Sequence, residues 1–321
     1  MRVVFISSRP LGRCENITAV YNAYPGEKVF DLMRHRTSDI LHDPDAEYDL
    51  VVTDELVVES KAPVIMIYHG AALGKTYLMQ RGNNRKSPVM QNACKLLKYA
   101  VTSSDSAAAV TTVAFQCGIK PDKVKPLGTP RMDALVRHEK KKTWGTRYLY
   151  APSYRKLDDM TIPPIDLEKI DKLLLDNETF IVKPHMVVPN LYLEGYRHIR
   201  SASKNEPTGP YLMQADVLIT DYSSIMFDAH AMGLPVVLFE KDSDTYLKNP
   251  GMCLSYPVGY ASRHTQSEEE LVRLMREAVK TGPREEDIRC KELTVNKCDG
   301  HATERVIKLI EDVLNEHEET L

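Results

Sequence analysis

The segment Asp216–Phe239, DVLITDYSSIMFDAHAMGLPVVLF, gathers two hydroxyls and two carboxylates around one turn. An apolar run, Val217–Thr220, leads into Asp221-Tyr222-Ser223-Ser224, and a helical pattern begins there. Ser223 or Ser224 suits an N-cap, and the N–H groups and dipole of a helix start attract phosphate oxygens. Asp228 follows Ser224 by four residues and so shares its helix face, where a carboxylate can accept the hydroxyls of a ribose. The plainer alternative is an ordinary capped helix with a surface aspartate. Gly233 and Pro235 then end the helix and launch the next apolar run.

Other apolar runs also stop at groups able to act on phosphate. One is followed by Ala151-Pro152-Ser153-Tyr154-Arg155 and another by Lys183-Pro184-His185. An arginine fork, a lysine and a protonated imidazole together suit a diphosphate. By itself His185 reads as a hydrogen-bonded structural histidine. A third run ends in His69-Gly70, where an imidazole with an ordinary pKa of about 6.5 suits a general base. Gly70 lets a backbone or ligand come close, and a structural histidine at a strand end is the alternative. His35, His42, His138, His198, His230, His264 and His301 show no ligand spacing. The 6 cysteines form no CxxC pair or zinc spacing and read as reduced thiols. The Ser7–Gly12 loop is too poor in glycine for a dinucleotide fingerprint, and no Walker lysine motif occurs.

Positioning these groups requires strands that end together. Short β-branched runs alternate with helical patterns, which predicts βα units and mostly parallel sheets. Strands are expected at Val3–Ser7, Lys28–Leu32, Asp49–Thr53, Val64–Tyr68, Tyr99–Thr102 and Val124–Leu127, with a helix at Asp105–Cys117 stopping at Gly118. The pattern restarts with strands at Arg147–Tyr150, Thr179–Lys183, Val217–Thr220 and Val236–Phe239. Helices are expected near Ser267–Lys280, Pro283–Val295 and His301–Glu316. The polar stretch Val136–Thr146 marks a hinge between an N-terminal α/β domain, residues 1–140, and a C-terminal α/β domain with a helical tail, residues 141–321. Two such domains are expected to face each other across a cleft, with ligands at the carboxyl ends of the strands.

The 321 residues carry 42 Lys+Arg and 45 Asp+Glu, a net charge of −3. Between Ser60 and Arg131 there are eleven basic residues and two acids, a local +9 that suggests an anionic partner. A solvated helical face is the plainer alternative. Nucleic acid is disfavoured, because no aromatic residues interleave with the basic ones as a stacking platform would need. Ser87–Tyr99 reads as a basic amphipathic helix that either packs on a sheet or touches an anionic membrane surface. No apolar run approaches a membrane span, and the N-terminal residues read as a first strand rather than a secretory signal. A cytoplasmic protein is expected, and the second of these helix readings would add peripheral contact at the inner face of the cell membrane.

Several of these segments together resemble the CDP-glycerol glycerophosphotransferases, the teichoic acid primases and polymerases. They are YHGAALGKTY (Tyr68–Tyr77), LGTPRMDAL (Leu127–Leu135), YLYAPSYR (Tyr148–Arg155), ITDYSSIMFDAHAMGLPVVLF (Ile219–Phe239) and DGHATERV (Asp299–Val306). The resemblance implies a GT-B type fold and transfer of glycerol phosphate, or a related polyol phosphate, from a CDP-polyol to an acceptor hydroxyl with release of CMP, with neither a metal nor a cofactor expected. It implies catalytic roles for His69 and His185. Arg155, Lys183, His185, Asp221, Ser223, Ser224 and Asp228 fall on the donor side; Gly70, Lys75, Arg81 and Arg85 fall on the acceptor side. The implied acceptor is an anionic or lipid-linked glycan. Without the long N-terminal extension of the polymerases, a single-addition, priming-type enzyme, or a relative with a different polyol or acceptor, is expected. A nucleotide-sugar glycosyltransferase or epimerase of the same architecture is the rival, because Asp228–Pro235 resembles the corresponding helix of those enzymes.

Overall fold

Runs of Val, Ile and Leu buried on both faces form parallel strands, and here they assemble two six-stranded parallel sheets. The computed structural model describes residues 1–7, 9–12, 15–32, 48–54, 60, 62–67, 97–114, 119–140, 144–155, 162–189, 191, 193–246 and 259–318. The chain divides into two compact units, one of Met1–Val136 with Leu293–Leu321 and the other of Arg137–Glu292.

In the first unit, β1 (Arg2–Ser7), β2 (Glu27–Leu32), β3 (Leu50–Thr53), β4 (Val64–Ile67), β5 (Leu97–Val101) and β6 (Val124–Lys125) lie in the order β2-β1-β3-β4-β5-β6. The strand period of two splits their side chains between faces. Val3 and Phe5 join one core with Ile17 and Val20 of helix α1 (Glu15–Ala23), while Val4 and Ile6 join the other with Val51 and Met66. Helices α2 (Asp105–Ala114) and α3 (Met132–Val136) follow β5 and β6.

The second unit runs β7 (Thr146–Tyr150), α4 (Leu167–Leu173), β8 (Glu178–Val182), β9 (Ile199–Ser201), α5 (Gly209–Gln214), β10 (Val217–Thr220), α6 (Ile225–Met232), β11 (Val236–Phe239), α7 (Ser243–Tyr246), β12 (Arg263–Thr265), α8 (Glu268–Thr281) and α9 (Glu285–Val295), whose residues from Leu293 onward count with the first unit. Its sheet order, β12-β11-β10-β7-β8-β9, is that of a doubly wound Rossmann fold, and the order reverses between β7 and β10.

Three expectations change. The tail expected in the C-terminal domain packs instead with the first unit. Val306, Ile310, Val313 and Leu314 of α10 (Ala302–Glu318) form one apolar helix face and bury it against the first-unit core of Val3, Phe5 and Val52. It shares the covering of that sheet face with Ile17 and Val20 of α1. The expected helix Ser87–Tyr99 cannot extend to its end, because Leu97, Lys98 and Tyr99 belong to β5, where Leu97 is buried; residues 87–96 lie outside the described residues. Strands β9 and β12 are not foreseen, being three-residue pieces at opposite edges of the second sheet.

Two distant segments fasten α10 in place. Both carboxylate oxygens of the buried Asp133 accept from the first N–H groups of α10, Ala302 N at 2.9 Å and Thr303 N at 2.7 Å. Arg305 donates from Nε to the Leu127 carbonyl at 2.8 Å and from both Nη atoms to Asp299. Gly128, at φ +93°, lies so close to the Lys297 carbonyl that a Cβ there would collide with it. Leu127–Leu135 and Asp299–Val306, two of the recognisable segments, thus interlock with each other. Among the described residues, no helix is long and apolar enough to cross a membrane.

Candidate active site

The reversal of strand order between β7 and β10 leaves a crevice at their carboxyl ends, the usual ligand position in such a sheet. The backbone there is tightly registered. Ala151 N donates to the Ile219 carbonyl at 2.9 Å, and Thr220 Oγ1 donates to the Ala151 carbonyl at 2.7 Å. Ser153 N then donates to Asp221 Oδ1 at 2.7 Å, joining the two loops beyond the strands.

Helix α6 starts immediately afterwards. Ser224 occupies the N-cap, but among the described residues its side chain makes no capping bond. Ser223 Oγ accepts from Ile225 N only at 3.5 Å, the outer limit of a hydrogen bond. Neither hydroxyl is strongly engaged in holding the helix, which leaves both able to bind an anion at the positive end of its dipole. At its other end α6 closes on Gly233 in the left-handed conformation, φ +71°, whose N–H reaches back to the carbonyl of His230. Asp228 lies one turn into α6 and is only 4 % exposed, so it is a buried carboxylate rather than the surface residue of the plainer reading.

Arg155 is also buried, and its fork is directed at carboxylates. Nε donates to Asp242 Oδ2 at 2.5 Å and Nη2 to Asp242 Oδ1 at 2.8 Å. Nη2 lies 2.9 Å from Asp221 Oδ2, and Nη1 donates to the Ser153 carbonyl at 2.9 Å. The guanidinium carbon sits 4.4 Å from the centroid of Tyr246, whose ring stacks on Tyr222 at 4.2 Å. Burial opposes the charge on Arg155, but hydrogen bonds to Asp242 and the fields of Asp221 and Asp242 outweigh it and hold the proton more firmly. The same burial, reinforced by Asp221, pushes the Tyr246 hydroxyl up to about 12.

Lys183 N donates to the Tyr150 carbonyl at 2.8 Å, continuing the ladder past β8, and the Lys183 side chain is buried. His185 is exposed and rests its ring against Tyr154, centroids 4.9 Å apart. Its Nδ1 accepts from Val187 N at 3.4 Å, which leaves the proton of the neutral ring on Nε2. Arg155, Asp221, Ser153 and, through Tyr154, His185 therefore form one contact chain at the β7, β8 and β10 strand ends. His69, Gly70, Lys75, Arg81 and Arg85 lie outside the described residues. Asp242 and Tyr246 are not among the predicted residues. Glu240-Lys241-Asp242 follows β11 as a polar strand end like the other four, and that signal would have found them.

The donor set is that of a phosphate site built on a helix start, backed by a buried ion cluster of one guanidinium and two carboxylates. Among the described residues no group of three or more His, Cys, Asp or Glu could hold a metal ion.

Comparison with known proteins agrees with this geometry. The chain is 26 % identical over 228 residues to the teichoic acid glycerol-phosphate primase of Bacillus subtilis (strain 168), covering 68 % of this chain and 58 % of that one. It is 24 % identical over 223 residues to the teichoic acid poly(ribitol-phosphate) polymerase of Bacillus spizizenii, covering 63 % of this chain and 36 % of that one. It thus spans less than two thirds of either relative. Its structure matches that of the wall teichoic acid polymerase TagF with a TM-score of 0.80, over 98 % of this chain and 89 % of that one at 18 % identity, which shows a GT-B type fold. The sequence model of CDP-glycerol:poly(glycerophosphate) glycerophosphotransferase matches residues 47–312, a span that contains the helix start, the strand-end cations and Arg155 with its two carboxylates, so the chain belongs to that family.

Proposed function

We propose that this chain transfers glycerol phosphate, or a related polyol phosphate, from a CDP-polyol to an acceptor hydroxyl and releases CMP. The observation that carries the proposal is the lightly capped helix start Ser223–Ile225 at the β7/β10 reversal, joined by contacts to Arg155 and His185, in a chain of this family. The N–H groups and hydroxyls of Ser223 and Ser224 receive the diphosphate, with Lys183 supplying positive charge and His185 a further hydrogen-bond donor. His185 Nε2–H donates to the phosphate of the departing CMP. Asp228 holds the ribose, and Arg155 and Asp221 are the buried members of the same site. His69 takes the proton of the acceptor hydroxyl as its oxygen attacks the phosphorus that carries the polyol, and the bond from that phosphorus to the CMP oxygen breaks. Such an in-line displacement depends on positioning and charge stabilisation, and helix dipole and cationic side chains supply both without a metal. Gly70, Lys75, Arg81 and Arg85 belong to the acceptor side. There the +9 window from Ser60 to Arg131 favours an anionic or lipid-linked glycan, presented at the inner face of the membrane.

A donor screen tests the reading: CMP release from CDP-glycerol or CDP-ribitol, dependent on an acceptor lipid, is the expected result. Release of UMP alone, from UDP-sugars, would replace it with the nucleotide-sugar alternative. His69→Ala should abolish turnover with CDP binding intact; loss of donor affinity would move His69 to the donor side. Flotation with anionic and neutral liposomes should differ, and equal binding would remove the electrostatic part of the membrane reading.

A further inference from the structure

Arg155 has the charge and shape of a phosphate ligand, yet its fork is already committed. Three of its nitrogens face carboxylates or a carbonyl at 2.5–2.9 Å, and its plane is covered by Tyr246. The two carboxylates come from different loops: Asp221 follows β10 and Asp242 follows β11. Asp221 in turn accepts from Ser153 N in the loop after β7. One guanidinium thus ties together the three loops that surround the start of α6.

We propose that Arg155 is a positioning residue, which deepens the donor-site reading and rests on it: it does not touch the donor but acts through Asp221 and Asp242. It does so in two ways. It fixes the turn Asp221–Ser224, so that the N–H groups entering α6 keep a geometry matched to a phosphate. It also offsets part of the negative charge buried beside an anion site, one guanidinium against two carboxylates. Asp221 is fully buried, and an uncompensated carboxylate there would repel a diphosphate through a medium that screens poorly. A direct ligand and a positioning residue differ in how they respond when the carboxylate is removed as well. Taking away a direct ligand loses its contact whether or not Asp221 is charged. Taking away a neutralising partner does harm because Asp221 is charged.

The test is a double-mutant cycle read by CDP affinity, with thermal unfolding of each variant. Arg155→Gln should weaken CDP binding by about ten- to a hundredfold. Adding Asp221→Asn, whose amide oxygen still accepts from Ser153 N, should recover at least tenfold of that loss. A double variant that binds CDP no better than Arg155→Gln overturns the proposal and places the guanidinium on the phosphate. Should Arg155→Gln fail to fold, the comparison is made between Arg155→Lys and Arg155→Lys/Asp242→Asn. One ammonium cannot span both carboxylates, so recovery is again expected, and its absence again overturns the proposal. No CDP binding by the unaltered chain defeats the donor reading and the positioning role together. CDP binding without recovery in the double variant defeats the positioning role alone.

Discussion

Replacing Asp133 by alanine should loosen the return of α10 to the first unit. The carboxylate is buried and accepts from two N–H groups at the positive end of a seventeen-residue helix. Losing a helix cap costs about 1 kcal/mol. Leaving buried donors unpaired costs about 1–3 kcal/mol more, and Ala302, fully buried, cannot turn its N–H to water. The expected loss is therefore about 2–4 kcal/mol in the first unit. Asp133→Asn, which keeps one acceptor but not the charge, should lose roughly half as much. Because two units need not unfold together, the assay is hydrogen exchange read separately on peptides from each. Protection should fall in Ala302–Glu318 and in β1 and α1, against which α10 packs, and stay unchanged in β7 to β11. A change below about 0.5 kcal/mol, the range of ordinary surface substitutions, would refute the reasoning. So would a loss of protection confined to the second unit.

Truncation after Glu292 removes Val306, Ile310, Val313 and Leu314, four buried aliphatic side chains worth about 1.5–3 kcal/mol each. Their sum is comparable to the whole stability of a domain, so the first sheet should lose its cooperative unfolding transition; an unchanged transition would contradict the assigned role of the tail. Asp299 is held at about 2 by hydrogen bonds from Arg305, below its ordinary 3.8. A depressed carboxylate stabilises the folded state above its unfolded pKa and loses that contribution as pH falls through the folded one. Stability should therefore decline between about pH 4 and pH 2, and Asp299→Asn should reduce that slope in acid titrations. The side chain is about half exposed, so solvent screening keeps the effect small. Ser223→Ala should change the unfolding midpoint little, since the contact its hydroxyl makes with Ile225 N is 3.5 Å long. It should weaken CDP binding about tenfold or more, because hydrogen bonds to charged groups are worth about 1.5–3 kcal/mol; equal affinities would remove Ser223 from the donor site.

The residues around α6 were legible because parallel sheets leave polar groups at one place, the carboxyl ends of their strands, and that rule needs only the sequence. It placed Asp221, Ser223, Ser224, Lys183 and His185 where the structure has them. It did not reveal what each side chain touches. Arg155 read as a free cation seeking phosphate, whereas it meets Asp242 from eighty-seven residues away. Asp228 read as sharing a helix face with Ser224, but spacing gives a face and not what covers it, and the carboxylate is buried.

The local pattern of the chain thus determined the strand runs, the capping and terminating residues of the longer helices and the positions of the polar strand ends, because each depends on neighbours within a few residues. The tertiary structure alone decided the pairing of β7 with β10, the return of α10 to the first unit and the partners of Arg155. Those outcomes depend on which buried surfaces and charges meet after the chain has folded. An apolar helix face does not by itself specify which sheet it covers. The first unit provided the fitting surface, together with Asp133 to cap the helix start and Leu127 and Gly128 to receive the segment that leads into it.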